Sequence, residues 1–264
     1  MGSPDGEGEA DEHPQRTVTV ASFEMDISEV TVGAFAACFA QGACADPATL
    51  VDIPGLSEET KWIYSQFCNG TRRDRSNHPI NCVMLSEAEA FCEAQGKRLP
   101  TEEEWEFAAR GGSYQWRYPW GMDPPSPRRL NACGSECRDL GQRVGRDFDT
   151  MFKGSDDWPA TAPVGSFPDG KSAHGLVDMA GNVLEWTSTP YPTKDKRAVD
   201  PHVIRGGCWL DFSPSYARGA YRNWFNASGR SSFLGFRCAR SVGHAATDAG
   251  AREEAPAVDA GTPP

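Results

Sequence analysis

The first clear hydrophobic pattern in the chain covers residues 17–29. Polar and apolar residues alternate there and then give way to an apolar stretch, which predicts a strand that leads into a helix. The helix is expected to run from residue 31 to about residue 39. A short strand followed directly by a helix indicates a mixed fold.

Two further helices are indicated by capping boxes, in which a Ser or Thr lies three residues before a Glu. Ser86 precedes Glu89 in this way, and Thr101 precedes Glu104. The helices predicted from them cover about 87–96 and 102–110. The side chains expected to face inward are Ala88, Phe91, Cys92, Trp105 and Ala108.

Short apolar segments predict strands near residues 164–167, 185–188, 203–205 and 236–240. Residues 111–161 are expected to be mostly loop. Two short helices beside a small, irregular sheet make an α+β fold with little regular secondary structure.

The segment 203–240 combines many aromatic side chains with six arginines and two cysteines. Short strands are expected at both of its ends, and the polar, Gly- and Ser-rich part between them is predicted to be a long loop. A long loop held at both ends by a rigid frame is a common way to build a binding groove.

The composition excludes some functions. The 264 residues include 27 Gly, 20 Pro and 8 Trp, and 39% are hydrophobic, which suits a loop-rich domain with aromatic anchors. A net charge of −11 argues against nucleic acid as the main partner, because binding phosphates requires a basic surface. No apolar run approaches the roughly 20 residues of a membrane-spanning helix.

One domain is predicted over residues 17–242, between two tails. Residues 1–16 and 243–264 are predicted to be disordered because they are polar and lack bulky apolar side chains. No apolar signal segment follows Met1, so the protein is either cytoplasmic or exported by a signal that is absent from this chain.

Nine cysteines are many for a cytosolic protein of this size. Three pairs have short spacings that suit disulfides, which favours an extracytoplasmic location, whether periplasmic, envelope or secreted. Zinc is the alternative, although the chain has no CxxC motif and its histidines lie away from these pairs. The three pairs are Cys38–Cys44, Cys68–Cys82 and Cys133–Cys137.

Several short motifs follow one another along most of the chain. They are CVML at 82–85, GKRLPTEEEWE at 96–106, YPWG at 118–121, APVGSFP at 162–168, GLVDMAGNVLEW at 175–186, RGG at 205–207 and GFRC at 235–238. In sequence and in order this series resembles the formylglycine-generating enzyme (sulfatase-modifying factor) family. The resemblance implies a fold related to C-type lectins.

The same resemblance implies two calcium sites, and calcium is the expected cofactor. Calcium takes six to eight hard oxygen ligands, which loop carbonyls and carboxylates supply. The alternative is that these side chains only satisfy loop backbone. The implied ligands of the first site are Asn131, Ala132, Asp156 and Trp158. Those of the second site are Asp178, Gly181, Val183 and Glu185.

Copper is not expected, although family enzymes use copper(I) held by two cysteines to oxidise a substrate cysteine with oxygen. Thiolates suit soft copper(I). Counting from Gly207, the first copper cysteine falls at Asp211 and the second near Tyr216 or Ala217. Neither position is cysteine, so copper-dependent formylglycine formation is not expected.

Other active-site positions differ from the enzymes as well. Phe233 stands where the enzymes have Asn, and Leu184 replaces a Trp. The family pattern implies a disulfide between Cys92 and Cys238, which leaves Cys208 as a free thiol. Cys208 is interpreted as a buried small hydrophobe, with a reactive thiol or a relocated metal ligand as the alternative.

The leading hypothesis is a non-oxidase member of the family that binds a peptide, protein or glycan through the 208–234 loop. The alternatives are a formylglycine-generating oxidase that acts on a sulfatase-type protein, a divergent non-heme metal oxygenase, or a structural role in an assembly. Arginines of the loop either bind an anionic ligand or pair with the protein's own carboxylates. The groove residues predicted are Trp209, Asp211, Phe212, Tyr216, Arg218, Tyr221, Arg222, Trp224 and Phe233.

Overall fold

The computed structural model describes residues 1–242. The α-helices of this part are α1 Val32–Ala40, α2 Glu58–Ser65, α3 Leu85–Ala94, α4 Glu102–Ala109 and α5 Ser135–Arg143. Its strands are β1 Phe23–Met25, β2 Leu184–Pro190, β3 Pro201–Arg205, β4 Arg222–Asn226, β5 Leu234–Gly235 and β6 Ala239–Ser241. Long irregular connections join these elements, so the fold is α+β, as expected.

Two helices begin at threonine caps, of which the one at Thr101 was indicated by the sequence. The Thr31 hydroxyl accepts a hydrogen bond from the backbone N–H of Ala34 at the start of α1. At α4 the Thr101 hydroxyl accepts from the N–H of Glu104, and the Glu104 carboxylate accepts from the N–H of Thr101. This reciprocal pair satisfies two backbone donors that the helix itself leaves free.

The start of α3 was predicted incorrectly. The helix begins at Leu85, before the expected cap, and Glu87 rather than Glu89 accepts a backbone hydrogen bond, from Met84. The inward side chains Ala88, Phe91 and Cys92 are buried as expected. The periodicity of apolar residues therefore identified the buried face, while the capping pattern was off by two residues.

The structure differs from the expectation in four elements. Helices α2 and α5 were not predicted, because their sequences are polar and bury few side chains. Strand β4 lies inside the segment that was expected to be loop, and 164–167 is not a strand. The 208–234 segment is therefore partly held by β4, which pairs along its whole length with β3.

The central sheet has the strand order β4-β3-β2-β5. Strands β2, β3 and β4 are antiparallel neighbours, and β5 runs parallel to β2. Strands β1 and β6 form a separate antiparallel pair. The main core lies between α1, α3 and β5, where the rings of Phe35, Phe91 and Phe236 contact one another.

Four disulfides bind eight of the nine cysteines of the chain. All four expected pairs are present, including the long-range one that joins α3 to the chain between β5 and β6. They are Cys38–Cys44, Cys68–Cys82, Cys92–Cys238 and Cys133–Cys137. Cys208 is the remaining thiol, and it is buried.

Residues 1–16 are not a disordered tail, contrary to the prediction. The segment contains a short 3-10 helix, Ala10–Glu12, and the Glu12 side chain is buried. Both carboxylate oxygens of Glu12 accept hydrogen bonds of 2.6 Å from the Arg218 guanidinium. A buried acid paired with a buried arginine fixes this segment to the domain. The predicted tail at 243–264 lies outside the described residues.

None of the helices within residues 1–242 has the length and apolar character required to cross a membrane.

Candidate functional site

A pocket of about 390 Å³ opens at the surface beside the turn that follows β3. Three parts of the chain meet there: the start of β2, the loop at 147–149 and the segment 208–233. We call this space the groove pocket. Its lining residues are Asp147, Phe148, Asp149, Leu184, Cys208, Leu210, Asp211, Phe212, Tyr216, Tyr221, Asn223 and Phe233.

Glycine makes the floor of the groove pocket possible. Gly206 and Gly207 have φ angles of 97° and 72°, in the left-handed region that disfavours side chains. A Cβ atom on Gly207 would lie 2.4 Å from the Asp211 carboxylate. The chain therefore turns back on itself here and brings Asp211 against Cys208.

Asp211 and Cys208 form a hydrogen-bonded pair on the pocket wall. The Asp211 carboxylate accepts from the Cys208 backbone N–H at 2.8 Å and from its thiol at 3.6 Å. Burial raises the pKa of Asp211 to about 7. Burial, and then the adjacent carboxylate, raise the pKa of the Cys208 thiol well above its ordinary value. The thiol is therefore held protonated, which disfavours its action as a nucleophile.

Five of the expected groove residues line the pocket. They are Asp211, Phe212, Tyr216, Tyr221 and Phe233. The Tyr216 ring lies 5.5 Å from Phe212 and 5.1 Å from Tyr221, centroid to centroid. These rings give the pocket an aromatic wall.

Two tryptophans expected in the groove do not line it. Trp209 is fully buried, with its ring 5.4 Å from that of Phe67 in the core below the pocket. Trp224 lies on β4 and stacks with Tyr191. Trp224 points away from the pocket because neighbouring side chains of a strand point to opposite faces, and the preceding Asn223 lines the pocket.

Arg218 and Arg222 were expected in the groove, and the structure places neither of them in its lining. Arg218 pairs with Glu12. Arg222 donates two hydrogen bonds of 2.7 Å to the carboxylate of Glu102, from Nε and from Nη2. The alternative interpretation, pairing with the protein's own carboxylates, describes both.

Sequence reasoning missed the loop side of the pocket. Asp147, Phe148 and Asp149 lie about 60 residues before Asp211 in a stretch with no periodic pattern. The disulfide Cys133–Cys137 at the start of α5 was the only available signal, because it indicates that this stretch is held in place.

The implied ligands of the first calcium site lie together. The Asp156 carboxylate accepts hydrogen bonds from the backbone N–H groups of Ala132 and Trp158, each at 2.9 Å. The side-chain oxygen of the adjacent Asn131 is buried without a hydrogen-bond partner. Burial raises the pKa of Asp156 to about 8. A buried carboxylate beside an unpaired carbonyl-type oxygen fits a hard cation.

The second implied site contains an acid that sequence reasoning missed, Glu29. One Glu29 carboxylate oxygen is buried without a partner, and the Glu29 and Asp178 carboxyl groups contact each other. Burial, and then Asp178 and Glu185, raise the pKa of Glu29 well above its ordinary value. Touching carboxylates need a proton or a cation between them, so these residues also fit calcium.

The cation that the structure itself places at the second site is Arg237. Its guanidinium binds both oxygens of Glu185 at 2.7 Å, and the Trp105 indole N–H donates to Glu185 at 2.8 Å. A carboxylate has about four acceptor positions, so Glu185 keeps one for a further partner. Among residues 1–242, no three His, Cys, Asp or Glu side chains group as a metal site, so a calcium ion here would also need carbonyl oxygens.

Comparison with known sequences decides the family. The family model described as the sulfatase-modifying factor enzyme 1-like domain matches residues 1–242, the part of the chain described above. This chain belongs to that family. The match includes residues 1–16, in agreement with their packing against Arg218.

Relatives in the sulfatase-modifying factor family include both active and inactive proteins. A protein of Bos taurus described as inactive C-alpha-formylglycine-generating enzyme 2 is 37% identical over 175 residues, 65% of this chain. The chain spans about half of that relative, 53% of its length. The formylglycine-generating enzyme of Streptomyces coelicolor is 36% identical over 284 residues, 92% of this chain and 86% of the enzyme.

A solved structure of the protein PvdO from Pseudomonas aeruginosa has the same fold. It superposes with a TM-score of 0.65 at 26% identity, and the match covers 92% of this chain and 90% of PvdO. The expected formylglycine-generating-enzyme fold is therefore shown.

Membership of the family makes the count of thiols informative. A copper site of two cysteines requires two free thiols, and four disulfides leave this chain with Cys208 alone. Of the positions counted as copper cysteines from the sequence, Asp211 and Tyr216 line the groove pocket, and Ala217, the alternative to Tyr216, does not. The pocket thus presents a carboxylate and a phenol there.

Proposed function

We propose that this chain is a non-oxidase member of the sulfatase-modifying factor family that binds a peptide, protein or glycan in the groove pocket. The observation that carries the proposal is the single free thiol, Cys208, protonated beside Asp211 in a pocket with aromatic walls. One thiol cannot supply a dithiolate to copper(I). Aromatic walls with a few polar groups are typical of binding pockets.

Calcium stabilises the domain in this proposal. Asn131, Ala132, Asp156 and Trp158 would hold one ion, and Glu29, Asp178, Gly181, Val183 and Glu185 the other. The ions would neutralise buried carboxylates and join loops that are distant in sequence. The four disulfides support an extracytoplasmic location, because such bonds persist in oxidising compartments.

The test is a binding screen with matched variants. Purified protein is applied to peptide and glycan arrays, beside Phe212→Ala, Tyr221→Ala and the control Tyr114→Ala, an exposed tyrosine that does not line the pocket. The proposal expects selective binding that both pocket variants lose by about tenfold or more and the control retains. Equal binding by all four proteins, or no selective binding, would contradict it.

A formylglycine-generating oxidase is the second candidate, favoured by the 36% identity to the Streptomyces coelicolor enzyme. It predicts that the protein, supplied with copper(I) and oxygen, converts the cysteine of a sulfatase-type peptide to an aldehyde. Mass spectrometry of the peptide detects that product. Turnover that is abolished by Cys208→Ser would replace the proposal with this candidate.

A further inference from the structure

All six arginines of the segment 203–240 pair with acids away from the groove pocket. The pairs are Arg205 with Glu102 and Glu106, Arg218 with Glu12, Arg222 with Glu102, Arg230 with Glu87, Arg237 with Glu185 and Arg240 with Glu24. None of these acids lines the pocket. This arginine-rich segment therefore contributes no positive charge to the pocket that it surrounds.

The charged side chains that line the groove pocket are all acidic. Asp147 and Asp149 lie exposed at its edge, and Asp211 lies inside it. Among the described residues, no Lys, Arg or His is part of the lining. The neighbouring Arg146 pairs instead with Glu59, at 3.5 Å. The pocket therefore has a negative potential, which attracts cations and repels anionic ligands.

Asp211 lacks a charged partner. Its hydrogen bonds come from the N–H and the thiol of Cys208, which are neutral groups. A half-buried carboxylate without a counter-charge is costly to ionise, and a cation that enters the pocket reduces that cost.

The aromatic wall suits the same kind of ligand. Phe212, Tyr216 and Tyr221 form a continuous cluster of rings beside Asp211. Aromatic faces attract ammonium and guanidinium groups and pack against their aliphatic stems. A volume of about 390 Å³ lies within the range of about 300–1,000 Å³ typical of ligand pockets and admits a side chain rather than a folded domain.

We propose that the groove pocket receives a basic side chain, Lys or Arg, of a partner peptide or protein. The charge of this side chain pairs with Asp211, its stem lies against the rings of Phe212, Tyr216 and Tyr221, and Asp147 and Asp149 attract it to the opening. This inference rests on the proposed binding function and specifies its ligand.

The test compares probes that differ in charge. Nα-acetyl-arginine amide, its neutral isostere Nα-acetyl-citrulline amide and the acidic Nα-acetyl-glutamate amide are titrated into the full chain at pH 8, where Asp211 is largely ionised. Calorimetry or NMR shifts of the pocket residues give the affinity. We expect the arginine probe to bind at least about tenfold more tightly than citrulline, the magnitude of one charge-assisted hydrogen bond.

Two variants assign that preference to the pocket. Asp211→Asn is expected to remove most of the preference for arginine over citrulline, while Asp169→Asn, an acid that does not line the pocket, keeps it. Circular dichroism confirms that both variants are folded, and Asp147→Asn with Asp149→Asn provides a second test if Asp211→Asn unfolds.

Three results would overturn the inference that the pocket receives a basic side chain. Equal binding of arginine and citrulline, tighter binding of glutamate, or no saturable binding of the arginine probe would do so. If citrulline or glutamate probes bind and shift pocket signals, the proposed binding function stands without its cationic ligand. If the array screen also fails, the binding function itself is wrong.

Discussion

Asp211 is the residue on which the chemistry of the groove pocket depends. Gly207 permits its side chain to fold back, and Cys208 donates two hydrogen bonds to it. Burial nevertheless raises its pKa to about 7, so the hydrogen bonds do not offset the cost of ionising it. Near neutral pH the charge of the pocket therefore changes with small changes in pH.

The pH dependence of stability follows from this pKa. Because the folded protein holds the Asp211 proton to about pH 7 and the unfolded chain only to about pH 4, the native state binds more protons between those values. Asp211 therefore lowers stability as pH rises through this range, by up to about 1.4 kcal/mol per pH unit. The loss is complete above pH 7.

The corresponding prediction concerns Asp211→Asn. Urea unfolding from pH 5 to pH 8 should show the variant gaining stability relative to wild type as pH rises to about 7, and no further gain above it. The groups that face Asp211 in the pocket are Cys208, Tyr216, Tyr221 and the acids Asp147 and Asp149. A parallel pH profile for wild type and variant would show that Asp211 is not the titrating group.

At the scale of elements, the N-terminal segment acts as a strap across the loop after β3. Glu12 and Arg218 are separated by 206 residues and are both buried. Nearby, Arg222 binds Glu102 at the start of α4 and lies over the ring of Tyr191. These contacts turn arginines away from the pocket while fixing the loop that forms its wall.

Removing one member of the buried pair should be costly. Glu12→Gln leaves the Arg218 charge without a partner, and we expect a loss of about 3–5 kcal/mol in the free energy of unfolding. The control Glu103→Gln breaks the exposed pair with Arg16 and should cost no more than about 1 kcal/mol. Equal losses in chemical denaturation would show that residues 1–16 are not held by Glu12.

The sequence identified the elements whose stabilising contacts are local and missed those whose contacts are distant. Helix α4 was recognisable because Thr101 binds backbone within three residues, and α1 because an apolar stretch precedes it. The polar helix α2 buries only Ile63 along its length, so it has little periodic signal. Family motifs, not periodicity, implied the Cys92–Cys238 pair.

For the groove pocket, the types of lining side chain could be predicted from the sequence, but their directions could not. Phe212, Tyr216 and Tyr221 were placed correctly, whereas the direction of Arg218 depends on an acid 206 residues earlier in the chain. Pairing across such a separation has no local pattern. The same reason hides Glu29, whose partner Asp178 belongs to a different loop.

At the scale of the whole molecule, buried carboxylates connect loops that are far apart in sequence. Glu29 and Asp178 contact each other near Glu185, and Asp156 closes the loop between Ala132 and Trp158. A bound cation at each place would hold these loops together. The disulfides hold other parts of the chain, so the two kinds of link are complementary.

Removal of calcium should therefore lower thermal stability. We expect chelation to reduce Tm and added calcium to restore it. At a hundredfold excess of calcium over Kd, one site should add about 2.7 kcal/mol to the free energy of unfolding. Asn131→Ala and Glu29→Gln should each weaken the response, whereas Asp169→Asn, which pairs on the surface with Arg128, should not. A Tm that is insensitive to calcium in wild type would contradict both sites.

The central claim is that this family member lacks a copper site, and copper(I) competition measures it most directly. Wild type and the double variant Asp211→Cys with Tyr216→Cys are titrated anaerobically against a copper(I) chelator. The account predicts no stoichiometric uptake by wild type and a gain of about one equivalent by the variant, because two thiolates suit copper(I). One tightly bound equivalent in wild type, lost in Cys208→Ser, would contradict the account.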